Sequence, residues 1–166
     1  METGLMEVAR HQLRTTIAEA REAVWNLRHD DEGPDILSKK MEAMALQVGA
    51  EFHLPVTCST SGTPFGISPP MAHDLLMIAR EAVCNAALHG HPSQIGIGMA
   101  FTGRELVLTV SDDGCGFEPR QGESQSDHHF GLKGMRERAN RWGGRFRLTS
   151  APGNGTRVEA RLAHRT

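Results

Sequence analysis

The sequence predicts an α/β (α+β) two-layer sandwich, one sheet with helices packed against it. Apolar residues alternate with small or polar ones through Ile95, Ile97, Met99 and Phe101, and again through Leu106, Leu108 and Val110. That is the period of half-buried strands. Upstream segments repeat at helical spacing instead, and short turns such as "TGRE" and "APGNG" join neighbouring strands as hairpins.

The elements follow in order. Residues 5–28 read as a helix, because Leu13, Ile17, Ala20, Val24 and Leu27 recur at spacings of 4, 3, 4 and 3. This is the a/d seam of a coiled coil or helical bundle, although an amphipathic helix packed on its own domain fits the same pattern. Met6 extends the seam and Arg10 interrupts it. Little capping chemistry precedes the helix, so the chain is expected to begin inside a longer one. "HDDEGP", residues 29–34, is a polar break and a boundary. Ile36 to Val48 is a second helix, rich in methionine on one side. Glu51 to Ser59 reads as a strand that Pro55 confines to a sheet edge or ends early. "STSGTPFGISPP" is loop, and Pro70 opens a helix from Met71 to His89. Strands follow from Gln94 and from Glu105 to Val110. Residues 118–130 are polar, the composition of a mobile loop. A helix from about Leu132 to Trp142 stops at Gly143–Gly144, and strands at 145–150 and 156–162 close the fold.

The totals exclude several classes. A chain of 166 residues can build one domain with a real core and a short appendage. The net charge of −2 gives no argument for a nucleic-acid surface or an anionic membrane. Cys58, Cys84 and Cys115 are far apart and lack metal-ligand spacing, which suits reduced thiols in a cytoplasm. No run approaches transmembrane length and no apolar signal core stands at the front, which leaves room for a longer membrane-bound parent.

Four stretches can carry chemistry. In "IAREAVCNAALHG", Glu81 and Asn85 are four apart and share a helix face. A carboxylate and an amide oxygen there suit a hard cation such as Mg²⁺, though ordinary solvent-facing polar residues would look the same. In "VSDDGCGF", Asp112 ends a strand, and Gly114 and Gly116 follow. The glycines permit positive φ and close approach of a flat ligand, and a fixed carboxylate can accept from an exocyclic amine such as adenine N6. A plain Asp–Gly turn is the simpler reading. In "FGLKGMRERA", Gly131 and Gly134 flank a helix start whose free N–H groups suit phosphate, with Lys133 and Arg136 nearby. In "APGNGT", Gly153 and Gly155 form a hairpin turn with backbone room beside it.

Together and in this order, these stretches resemble the GHKL superfamily, and within it the catalytic, ATP-binding domain of sensor histidine kinases. "HFGLKGMRERANRWGG" followed by "SAPGNGTRV" resembles the nitrate-sensor-like subfamily. The resemblance covers about residues 34–163. It implies a Bergerat-type ATP-binding fold with a mixed sheet, preceded by a long amphipathic helix. Glu81 to Asn85 match the N box, Asp112, Gly114 and Gly116 the first glycine box, Gly131 and Gly134 the second, and Gly153, Gly155 and Thr156 the last.

The resemblance further implies ATP and Mg²⁺ as ligands. Asp112 would read adenine N6, with Gly114, Gly116, Gly153, Gly155 and Thr156 around the base. Asn85 would hold Mg²⁺, and Gly131, Leu132, Lys133 and Gly134 would cradle the phosphates. Glu81 would support transfer, and residues 118–130 would be the lid. His89 and His129 are within sequence reach of the triphosphate, but exposed polar side chains explain them as well.

Residues 1–30 would be the second helix of a dimerisation and phosphoacceptor domain, and 34–166 the catalytic domain. Within residues 5–28 no histidine stands before an acidic residue; His11 is followed by Gln12. The fragment would thus lack its acceptor and not autophosphorylate. The implied partners are ATP, the acceptor helix of the same kinase, a response regulator and a second copy in the parent. No nucleic acid is implied, and the domain would sit in the cytoplasm on a membrane-anchored bacterial sensor. An anti-sigma-type serine kinase shares the boxes, and a nucleotide-binding regulatory module without transfer activity is the non-enzyme alternative.

Overall fold

The structure is a computed structural model. It describes residues 35–119 and 130–164, together with residues 9, 10, 12, 13, 16, 17 and 20 near the front. The described front residues are helical, and their seam members Leu13 and Ile17 are exposed, 62% and 45%. Most of the lid proposed at 118–130 lies outside the described residues, as do His11 and His129.

Helix α1 spans Ile36–Phe52 and buries Leu37, Met41, Met44, Ala45 and Val48, one stripe at helical spacing. It runs four residues beyond the end predicted at Val48. His53 caps it in the left-handed conformation, φ 52°, and Leu54 N–H closes onto Gly49 O. The strand predicted from Glu51 therefore starts later. Strand β1 is Val56–Gly62, immediately after Pro55, which cannot donate to a ladder. It also runs past the end predicted at Ser59 to take in Thr60 to Gly62, read from sequence as loop. Helix α2, Pro69–Asn85, opens on two prolines at its first turn, where missing N–H groups cost nothing. It passes into a π-helical turn, Ala86–Gly90, ended by His91 at φ 47°.

Strands β2 (Ile95–Phe101) and β3 (Glu105–Asp112) follow. Helix α3 is Phe130–Arg141, and β4 (Arg145–Ser150) and β5 (Thr156–Ala163) end the fold. The helix begins two residues before the predicted start and stops where Gly143 takes φ 67°. The five strands form one sheet in the order β1-β2-β3-β5-β4. β1 pairs parallel with β2 at one edge and the other pairs are antiparallel, so the sheet is mixed.

Alternation divides the sheet into two faces. Ile95, Ile97, Met99, Phe101, Leu106, Leu108, Val110, Val158, Ala160 and Leu162 are buried under the helices. The opposite face carries Thr57, Ser59, Arg145, Arg147, Arg157 and Arg161, all exposed. There Arg161 Nε donates to Glu159 at 2.7 Å, and Arg157 lies 3.6 Å from the same carboxylate. These partners hold the Glu159 carboxyl below the usual range, the Arg161 hydrogen bond most of all. No helix among the described residues is long and apolar enough to cross a membrane.

Candidate functional site

Sheet register builds the floor of the site. Asp112 pairs with Ile95 on β2 and with Thr156 on β5, and Thr156 pairs with Ser150 on β4. Cross-strand partners point to the same face. Ile95, Asp112, Thr156 and Ser150 therefore form one row at the end of the inner face, where the apolar core gives way to polar groups.

The row's hydrogen bonds fix what it presents. Ser150 Oγ donates to Gly155 O at 2.9 Å and accepts from Phe117 N–H at 2.9 Å. Its single proton is then committed, so in its 2.9 Å contact with Thr156 Oγ1 the threonine donates. Thr156 is left with acceptor lone pairs. Asp112 Oδ1 accepts Gly114 N–H at 2.8 Å, leaving Oδ2. The row thus offers two adjacent acceptors.

Above it lies a cavity of about 270 Å³, close to the lower end of the roughly 300–1,000 Å³ usual for small-molecule sites. Asn85, His89, Asp112, Gly116, Leu132 and Thr156 line it, as do Cys115, Phe117, Met135, Leu148 and Val158. Of the residues proposed from sequence, Asn85, Asp112, Gly116, Leu132 and Thr156 therefore meet at one opening. Glu81, Gly114, Gly131, Lys133, Gly134, Gly153 and Gly155 are not in its lining. Ser150, Phe117 and Cys115 were not singled out from sequence. Alternation along β4 would have placed Ser150 on the inner face with Phe146 and Leu148; nothing local marks the other two.

Several glycines serve the protein's own backbone. A Cβ on Gly114 would run into Gly90 O, and one on Gly116, at φ 60°, into Ala151 O. Cys115 N–H donates to Gly90 O at 2.8 Å, and Gly153 N–H to Cys115 O at 2.7 Å. The π turn at the end of α2, the Asp112–Gly116 turn and the β4–β5 hairpin are laced together in this way. π turns recur at functional sites because they redirect a helix end, and no sequence signal announces this one.

Asp113 completes the lacing, accepting from Ser93 N–H at 2.8 Å, Gln94 N–H at 3.1 Å and the Ser93 hydroxyl. The Ser93 hydroxyl, then the Gln94 amide, hold its carboxyl below the usual range. A depressed carboxylate contributes stability above its unfolded pKa and loses it as pH falls through the lower folded value. Stability is therefore expected to drop below about pH 4, and Asp113→Asn should flatten that drop in denaturant titrations across pH. An unchanged acid profile would remove the assignment.

At the other end of the cavity, Asn85 Nδ2 donates to Glu81 Oε1 at 3.2 Å. That orientation turns Asn85 Oδ1 away from Glu81. A Cβ on Gly131 would fall on Glu81 Oε1, so the carboxylate packs against the first turn of α3. Lys133 projects outward and lies 3.9 Å from Glu137.

Residues 71–166 match the family of histidine kinase-, DNA gyrase B- and HSP90-like ATPases. Over 154 residues, 93% of this chain, the sequence is 31% identical to the nitrate/nitrite sensor protein NarX of Escherichia coli K12. It is 32% identical over 97 residues to the sensor protein VraS of Staphylococcus aureus, 58% of this chain. The aligned part is 25% of NarX and 27% of VraS, so the chain spans about a quarter of these relatives. The ATP-binding domain of PrrB from Mycobacterium tuberculosis superposes with a TM-score of 0.60 at 20% identity, covering 76% of this chain and 92% of that one. The histidine kinase domain of a blue-light-activated kinase from Erythrobacter litoralis gives 0.61 at 17% identity, covering 76% and 64%. Family model and relatives agree: the chain belongs to the family of histidine kinase-, DNA gyrase B- and HSP90-like ATPases.

Proposed function

We propose that the cavity binds Mg·ATP and presents its γ-phosphoryl group to a histidine on the acceptor helix of the same kinase, from which a response regulator takes it. The observation that supports this best is the pair of acceptors at the cavity floor. The exocyclic amine of adenine has two N–H donors, which Asp112 Oδ2 and Thr156 Oγ1 can each accept. Guanine has a carbonyl oxygen at that position, which would face two acceptors.

Toward the phosphates, Asn85 supplies an amide oxygen and Glu81 a carboxylate, hard donors that fit Mg²⁺. The ion's chemistry there is charge neutralisation across the phosphates. Asn85 Oδ1 holds it, and Glu81 keeps Asn85 oriented and supports transfer. The free N–H groups of α3 around Gly131 to Gly134 receive phosphate oxygens, and Lys133, on the same turn, adds positive charge. Gly116, Gly153, Gly155 and Gly114 shape the base end. Residues 118–130 act as a lid that shields the triphosphate.

Residues 1–30 belong to the dimerisation and phosphoacceptor domain in this reading. The exposed Leu13 and Ile17 would pack in the helical bundle of a homodimeric parent, anchored at a membrane with this domain on the cytoplasmic side. The chain alone would bind nucleotide without autophosphorylating.

Calorimetry with ATP and GTP, with and without Mg²⁺, tests the reading. ATP binding that Mg²⁺ strengthens, with GTP at least about 10-fold weaker, is expected from the cost of unpaired polar groups. Equal binding of the two would remove the acceptor-pair argument. Asn85→Ala should erase the Mg²⁺-dependent part of ATP binding and leave the melting temperature within about 2 °C, as for a half-exposed polar position. A variant that still responds to Mg²⁺ would exclude that ligand.

A further inference from the structure

Asp74 is a buried charge that the nucleotide site does not use. It is 3% exposed and sits early on α2, outside the lining of the cavity. Its partners come from one place. Arg141 Nη1 donates to Oδ2 at 3.0 Å and to Oδ1 at 3.3 Å, and Trp142 Nε1 donates to Oδ2 at 2.8 Å. Arg138 Nε lies 3.7 Å from Oδ1. All three residues belong to the C-terminal end of α3 or the residue after it. A buried carboxylate persists only when paired in this way, and removing a partner is costly.

One further contact links this clamp to the backbone one turn nearer the start of the helix. Arg138 Nη1 lies 3.2 Å from where a Gly134 Cβ would stand, so its guanidinium lies over the Gly134 backbone while its Nε faces Asp74. α3 has 12 residues, yet Met135 and Ala139 are the only ones among the described side chains that are fully buried. Leu132 and Trp142, partly buried, pack against the core on the same stripe, so the apolar contacts anchor the helix along one line and leave its roll about that line to other contacts. The clamp residues Arg138 and Arg141, off the stripe, supply those contacts.

We propose that Asp74, acting through Arg138 and Arg141, is a positioning residue that fixes the roll of α3 and so aims its first-turn N–H groups at the nucleotide phosphates. This rests on the nucleotide reading above. Roll decides how the unbonded first-turn amides, around Gly131 and Leu132, face the cavity. The polar contacts of the base end are built on β3, β4 and β5; from α3, among the described residues, only Leu132 and Met135 reach the cavity, and both lie on the stripe about which the helix rolls, so they move least. The clamp therefore acts on phosphate recognition and leaves adenine recognition alone.

The test compares ATP with adenosine by NMR titration of the whole chain. Asp74→Asn keeps the shape and removes the charge. ATP affinity should fall about 5- to 10-fold, with adenosine unchanged within about 2-fold. Arg141→Gln should act in the same direction, and its side chain is 64% exposed, so it carries the test if Asp74→Asn does not fold. Equal losses for ATP and adenosine would show a merely structural role and overturn the proposal, as would unchanged ATP affinity in both variants. Failure of the unsubstituted chain to bind ATP would instead overturn the nucleotide reading, and this proposal with it.

Discussion

Asp112→Asn is expected to weaken ATP binding by about 10-fold or more, from a cost of roughly 1–3 kcal/mol for an opposed polar contact. The direction follows from which oxygen is already engaged. Asp112 Oδ1 accepts the Gly114 N–H at 2.8 Å. An asparagine keeps that bond by placing its oxygen there, and its NH₂ then points into the cavity where Oδ2 stood. Adenine N6 would meet a donor. The same change removes the clash with a carbonyl oxygen, so the ratio of GTP to ATP affinity should rise. Calorimetry on the two nucleotides reads both effects. Unchanged ATP affinity would mean that Asp112 holds the turn and does not read the base.

Gly155→Ala is expected to destabilise the domain by about 2–3 kcal/mol. For a domain of this size that is a fall in melting temperature of roughly 5–10 °C. Two costs combine. Gly155 has φ 65°, a conformation that side chains disfavour. Its Cβ would also collide with the backbone carbonyl of Asp112, with Asp113 Cα 3.3 Å away. The collision displaces Asp112 itself, so ATP affinity should fall as well. A thermal melt within about 2 °C of the unsubstituted chain would show that the hairpin relaxes without strain.

These two predictions differ in how far the sequence alone could reach them. Period-two alternation placed Leu106, Leu108 and Val110 on one face, and continuing it places Asp112 on that face too. β1 does lie at the sheet edge, but Pro55 stands before the strand and not in it, so the edge place does not follow from that proline; the end of α3 does follow from Gly143–Gly144, a local consequence of a missing Cβ. The start of β1 did not follow. The left-handed cap at His53 lets α1 run to Phe52, and histidine, though enriched at positive φ over most side chains, adopts it too seldom to mark a cap in advance.

What the sequence determined by itself was the class of fold, the face each strand buries and the order of the chemical stretches, because periodicity and turn chemistry are local. What only the tertiary structure decided was which groups meet. Thr156 and Ser150 join Asp112 through strand pairing between segments some forty residues apart. Gly114, Gly116 and Gly155 turned out to make room for backbone carbonyls of other segments. Asp74, unremarkable in sequence, is buried against Arg141 and Trp142, which lie 67 and 68 residues away. Register and long-range burial arise from packing, and a single sequence carries no local record of them.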